Sequence, residues 1–150
     1  MKRYNSFKKL STYEKEVLLK FPAYISLLAA NSLNLDETEI KAVIKLVQTK
    51  SFSSDTLLAD YFKEVRASFE NNIDQLDKEL SRNSDKREDA IKIEILNIEK
   101  ILLKFNEKYA SAIQHSMEII KDHVLKAHNN MVDDFILSFP LPGLTGWINI

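Results

Sequence analysis

The sequence predicts an all-α fold, a single-domain helical bundle of five to seven helices with bundle-like or orthogonal packing. The first 142 residues contain no glycine, and Pro22 is the only proline before Pro140, so little interrupts helix formation. Apolar residues also recur at steps of three and four, the spacing of one buried helix face. We expect residues 1–150 to form this domain, with a basic leader at 1–10 and a non-helical C-terminal tail at 140–150.

The composition excludes several functional classes. The missing glycines exclude the glycine-rich loops that cradle phosphates, and the absence of cysteine excludes disulfides and thiolate metal sites. A net charge of −1 gives no overall attraction to nucleic acid, and no apolar run approaches the roughly 20 residues that span a bilayer. We therefore expect a cytoplasmic protein with no transmembrane segment, no nucleic-acid partner and no cofactor. The basic leader lacks the apolar region of a secretion signal and is expected to be solvated.

Two short motifs predict where the early helices begin. Ser11 and Glu14 have the spacing of a capping box, and the helix that they start should end or kink before Pro22. Asp36 and Glu39 repeat this arrangement ahead of another amphipathic segment.

The middle of the chain predicts one long helix and then a connection. Seven apolar residues between Leu58 and Leu80 follow steps of 4, 3, 4, 4, 3 and 4, an eleven-residue repeat that fits a nearly straight helix. The polar run Ser81–Asp89 is interpreted as a helix–helix connection. From Ile91 to Val124 a second apolar stripe stays in phase, although one helix over 87–128 would be roughly 60 Å long. We therefore expect a break near 104–107, with Asn106 as the cap.

The helix after Asp89 carries apolar residues away from its main stripe, namely Ile93, Leu96 and Leu103. Either this helix is central and covered by neighbours on both sides, or its second face meets another subunit or partner. Trp147 is costly to expose, so we expect it to pack on the body of the protein or on a partner.

Few residues suggest chemistry. His115, Glu118 and Asp122 share one helix face and could meet a cation, yet that face lies opposite the apolar stripe and favours a solvated surface. Neither a paired-carboxylate arrangement nor a Gly-x-Ser-x-Gly motif is present, so the sequence offers no catalytic constellation.

The segment from Ala30 to Val47 resembles the tellurite-resistance TerB-like helical domains. Leu35, Asp36 and Glu39 match the aliphatic, capping and acidic positions of the family motif, whereas Ser32 and Leu33 replace its Asp-Gly. The resemblance implies an all-helical bundle, commonly a non-enzymatic module of bacterial stress-response or membrane-associated assemblies. The two replacements remove the residues that shape and charge a turn resembling a metal-binding loop.

These observations predict a non-catalytic protein–protein interaction module of TerB-like type, associating with a protein partner or with itself through the helix after Asp89. One alternative is a divalent-metal-binding protein or metal-dependent enzyme that uses Asp36, Glu39 or the His115 face. Another is a helical bundle that binds an apolar small molecule.

Overall fold

The computed structural model describes residues 3–48 and 56–132, and these residues confirm the all-α bundle. The six α-helices of this part are α1 (Thr12–Leu19), α2 (Phe21–Ser32), α3 (Glu37–Gln48), α4 (Ala59–Glu79), α5 (Ser84–Leu102) and α6 (Glu107–Val132). Two short 3₁₀ helices, Phe7–Lys9 and Thr56–Leu58, precede α1 and α4. The predicted tail at 140–150 lies outside the described residues.

The centre of the bundle is α2, which packs against each of the other five α-helices. Ten consecutive residues of α2, from Phe21 to Ala30, are buried. No charged residue occurs between Lys20 and Asp36, so α2 is the segment that loses least by burial on all sides. The first interpretation of the helix after Asp89, that it is central and covered on both sides, is therefore wrong, because α5 contributes only one face to the core.

The predicted starts of the early helices are confirmed. Ser11 and Glu14 form both hydrogen bonds of the capping box, and Pro22 lies in the first turn of α2, where its missing N–H costs no hydrogen bond. Asp36 Oδ1 accepts a hydrogen bond from the backbone N–H of Glu39 at 2.8 Å, and the Glu39 carboxylate accepts one from Asp36 N–H at 3.2 Å. The second capping box is therefore also formed.

The long helix is confirmed, and the connection after it is shorter than predicted. Leu58 and the five α4 stripe positions that follow it are buried, and Leu80 is half-buried against the core. Helix α5 begins at Ser84, so only the start of the polar run Ser81–Asp89 is a connection. Two contacts explain this difference: the side chain of Asn83 accepts a hydrogen bond from Lys86 N–H at 3.0 Å, and Arg87 is buried in an ion pair with Asp77.

The expected break in the second apolar stripe is present. Helix α5 ends at Leu102, α6 begins at Glu107, and Asn106 Oδ1 accepts a hydrogen bond from Tyr109 N–H at 2.8 Å. Tyr4 lies against this connection, where its N–H donates to the Lys104 carbonyl and its carbonyl accepts from Asn106 N–H, both at 2.7 Å. These two hydrogen bonds hold the leader against the turn between α5 and α6.

The basic leader is not simply solvated, because its apolar residues belong to the core. Phe7 and Leu10 are buried, and Phe7 N–H donates to the Tyr109 hydroxyl at 3.1 Å. Lys8 and Lys9 are exposed as predicted, and the Lys8 ammonium lies 3.1 Å from the Asp60 carboxylate. The leader therefore has a buried apolar side and a solvated basic side.

Replacing Asn106 with alanine should lower the free energy of unfolding by about 1 kcal/mol, because the first turn of α6 would lose its side-chain cap. Urea unfolding followed by circular dichroism measures this loss. Asn71→Ala, at an exposed position within α4, is the matched control and should cost nothing. Equal effects of the two substitutions would show that the cap does not stabilise the break.

Candidate functional site

A groove runs between the C-terminal half of α5 and the N-terminal half of α6, with a volume of about 840 Å³. We call it the docking groove. The described side chains around it come from the leader, α5, the α5–α6 connection and α6: Arg3, Ile93, Leu96, Asn97, Glu99, Lys100, Leu102, Leu103, Phe105, Glu107, Ala110, Ser111 and Gln114. Its volume falls in the range of about 300–1,000 Å³ that is typical of ligand sites.

The apolar wall of the docking groove is the second stripe of α5. Ile93, Leu96 and Leu103 are 58%, 44% and 70% exposed, so the bundle leaves these large aliphatic side chains uncovered. At 100° per residue they fall within about 80° of arc, on the side of α5 away from its core positions. The residues that the sequence singled out therefore lie together on a face that the bundle leaves exposed.

Buried side chains and backbone hydrogen bonds fix the remaining walls of the docking groove. The side chains of Leu102 and Phe105 line it and are buried. The two backbone hydrogen bonds between Tyr4 and the α5–α6 connection place the neighbouring Arg3 beside it. The rim carries two basic side chains, Arg3 and Lys100, and two acidic ones, Glu99 and Glu107. With these charges balanced, the apolar wall is the dominant chemical feature.

The lining of the docking groove combines aliphatic side chains with a few neutral polar ones. Among the described residues that line it there is no histidine or cysteine. Asn97, Ser111 and Gln114 supply neutral hydrogen-bonding groups next to the aliphatic wall. An aliphatic wall with a few neutral polar groups suits an apolar segment that also presents backbone donors and acceptors.

A second cleft, of about 640 Å³, lies between α1 and α5 and is more polar. An ion pair between Glu14 and Lys104 joins its two sides. The hydrogen bond from Lys104 lowers the pKa of the Glu14 carboxyl, and the capping contact with Ser11 lowers it further. Because these charged groups already satisfy each other, this cleft is a poorer receptor for an apolar ligand.

The structure does not bring the predicted metal ligands together. Asp36 and Glu39 are engaged in the capping box of α3, while His115, Glu118 and Asp122 lie along α6. Glu118 pairs with the Lys121 ammonium at 2.9 Å. Within 3–48 and 56–132, no group of three or more histidine, cysteine or acidic side chains could hold a metal ion.

The turn that resembles a metal-binding loop is a helix C-cap. Asn34 has φ 55°, Leu35 N–H donates to the Ala30 carbonyl at 3.4 Å, and Asn34 N–H donates to the Asn31 carbonyl at 3.1 Å. This is the Schellman arrangement, in which asparagine is one of the few residues that tolerate the left-handed conformation. Ser32 donates its hydroxyl to the Ala29 carbonyl at 2.7 Å. The turn satisfies its own polar groups.

Sequence reasoning missed the buried ion pair between Asp77 on α4 and Arg87 on α5. A signal was available, because Asp77 follows Ile73 by four residues and Arg87 precedes Ile91 by four, so both lie in phase with a buried stripe. It also missed Tyr61, which is fully buried and donates its hydroxyl to the Leu18 carbonyl at 2.7 Å. Burial raises the pKa of Tyr61 well above its usual value. These groups stabilise the bundle and lie away from the docking groove.

Trp147, the remaining residue predicted to make an interaction, lies outside the described residues. Within the described part of the chain, no helix is long and apolar enough to cross a membrane. Searches of family models, curated proteins and solved structures give no match to this chain.

Proposed function

We propose that this protein is a non-catalytic helical interaction module whose docking groove receives an apolar peptide segment of a partner protein. The observation that carries this proposal is the uncovered aliphatic stripe of Ile93, Leu96 and Leu103, which continues into a groove with neutral polar groups. Monomeric proteins leave few such contiguous apolar surfaces, and those that they do leave often mark interaction sites. Membership of the TerB-like family, with a role in bacterial stress response, is part of the same proposal and rests on the sequence motif alone.

The size of the apolar stripe sets the affinity to expect. Covering the exposed parts of the three side chains is worth about 3–5 kcal/mol, whereas a complex with a micromolar Kd needs roughly 8 kcal/mol. The remaining binding free energy has to come from hydrogen bonds between the polar groups of the groove, such as Asn97 and Gln114, and the backbone of the segment. A weak, exchangeable interaction is therefore the expected mode.

A peptide-display selection against the purified full-length protein tests this function. We expect enriched peptides with closely spaced apolar residues, and we expect Leu103→Asp to weaken their binding at least tenfold, because a carboxylate would replace the most exposed part of the apolar wall. Tyr13→Asp, at a 73% exposed position on α1, is the matched control and should bind as wild type does. Peptides that bind the Leu103→Asp variant as tightly as wild type would overturn the proposal.

No described observation favours the other two functions. The acidic candidates for a metal, Asp36 and Glu39, already cap α3. The docking groove is partly open to solvent, which suits a peptide segment better than an enclosed apolar ligand.

A further inference from the structure

We propose that the second cleft binds a small aliphatic amine, whose ammonium group is held between the Glu94 carboxylate and the Tyr24 hydroxyl. This cleft lies between α1 and α5 and is separate from the apolar wall of the docking groove, although Asn97 borders both. The ligand is a diffusible cation, so the inference goes beyond the proposed function and does not depend on a partner protein.

Two contacts define where Tyr24 lies relative to α5. One is an ion pair just beyond the C-terminal end of α5, and the other is a hydrogen bond at its N-terminal end: Glu14 with Lys104, and Asn31 Nδ2 with the Ser84 carbonyl at 3.1 Å. Between these contacts α1 and α2 run along α5 in the opposite direction. Tyr24 precedes Asn31 by about two helical turns, which places it level with the part of α5 that carries Glu94. Glu94 lines the second cleft, so Tyr24 lies at that end of it.

The hydroxyl of Tyr24 has no hydrogen-bond partner among residues 3–48 and 56–132, although its side chain is only 7% exposed. Within the same residues, His128 Nδ1 is the only fully buried side-chain nitrogen or oxygen without a partner. The Tyr24 hydroxyl is therefore in contact with solvent, while its ring is buried. A fixed ring that presents its oxygen at the surface offers a well-placed lone pair to a ligand.

The charges around this hydroxyl favour a cation. Burial, together with the negative charges of Glu94 and Glu79, raises the pKa of Tyr24 to about 12, so the hydroxyl is neutral near neutral pH. Glu79 accepts a hydrogen bond from Gln75 at 3.0 Å. Glu94 forms neither an ion pair nor a side-chain hydrogen bond in the described part of the chain. An ammonium between Glu94 and Tyr24 neutralises this unpaired charge and gives both oxygens a donor.

The rest of the second cleft sets the shape of the ligand. Val17 and Ile101 line it and are half-buried against the core, so they supply an aliphatic surface. The ring of Tyr13, 73% exposed, adds an aromatic face that attracts cations. At the far end, Glu14 and Lys104 already neutralise each other. These features suit a short hydrocarbon chain with one ammonium group and disfavour an anion of the same size.

Titration of the full-length protein with n-butylammonium chloride tests the site. With ¹³C-labelled tyrosine rings, the resonances of Tyr24 are identified by their loss in Tyr24→Phe. At neutral pH and constant ionic strength we expect them to shift saturably, with a Kd of roughly millimolar. Glu94→Gln should raise this Kd about fivefold or more, because the ammonium loses its charged partner. Glu99→Gln removes the same charge from the docking-groove side of α5 and should keep Kd within about twofold of wild type.

Two further measurements complete the test, and circular dichroism confirms that each variant keeps its helices. Sodium butyrate has the same hydrocarbon chain with the opposite charge and should give no saturable shift. Leu103→Asp alters only the docking groove and should bind the amine as wild type does, so the two sites are tested separately. Absence of a saturable shift with butylammonium, an unchanged Kd in Glu94→Gln, or equal binding of butyrate would overturn the proposal. A Kd that rises with Leu103→Asp and not with Glu94→Gln would place the amine in the docking groove and overturn it as well.

Discussion

Replacing Asp77 with alanine should lower the free energy of unfolding by about 3–5 kcal/mol. The side chains of Asp77 and Arg87 are only 7% and 5% exposed, and they pair across the junction between α4 and α5. Removing the carboxylate would leave the Arg87 guanidinium buried, with the Ser81 carbonyl at 3.5 Å as its remaining acceptor in the described part of the chain. The cost is large because an unpaired buried charge loses its hydration without compensation. Urea unfolding of both proteins measures it.

Two controls distinguish this buried pair from ordinary surface charge. Glu88→Ala removes the partner of Lys92 in a partly exposed pair at 3.4 Å and should change stability by no more than about 0.5 kcal/mol. The double variant with Asp77→Leu and Arg87→Met should recover most of the loss, because apolar side chains of similar volume need no pairing. A loss below about 1 kcal/mol for Asp77→Ala, or a double variant as unstable as the single one, would contradict the prediction.

Replacing Phe7 with alanine is the second substitution with a large expected effect, a loss of about 3–5 kcal/mol in the free energy of unfolding. Phe7 is fully buried, its ring lies edge-on to Tyr61 with centroids 5.6 Å apart, and its N–H bonds to the Tyr109 hydroxyl. The substitution opens a cavity where the leader, the start of α4 and the start of α6 meet. Thermal or urea unfolding followed by circular dichroism gives the loss.

The neighbouring residue Lys9 provides the comparison for Phe7. It is exposed in the same 3₁₀ helix, so Lys9→Ala should stay within about 0.5 kcal/mol of wild type. Similar small losses for both variants would show that the leader does not contribute to the core.

The features that the sequence predicted correctly depend on neighbours along the chain. The capping boxes at Ser11 and Asp36 join residues three apart, and the cap at Asn106 acts on Tyr109, also three residues away. The stripe from Leu58 to Leu80 repeats within one helix. Hydrogen bonds and periodicity over such short distances do not depend on how the helices are arranged in space.

The features that it missed depend on residues far apart in the chain. Burial of the leader needs the contact of Phe7 with Tyr109, 102 residues away, and nothing in the basic composition of 1–10 indicates it. The polar run Ser81–Asp89 is typical of a loop, yet Arg87 is drawn into the core by Asp77, so the helix starts earlier. The local composition of a segment does not show which of its charged side chains will form a buried ion pair with a residue elsewhere in the chain.

The sequence predicted the apolar residues of the candidate site but not their exposure. By itself the sequence determined an all-α fold, the break between α5 and α6, and the second apolar stripe of Ile93, Leu96 and Leu103, because helical periodicity alone defines a face. It left open whether that face is buried, and only the tertiary structure decided this. One helix can occupy the centre of a small bundle, and α2, with no charged residue, loses less on burial than α5 with its lysines and glutamates. The stripe on α5 therefore faces outward and forms the wall of the docking groove.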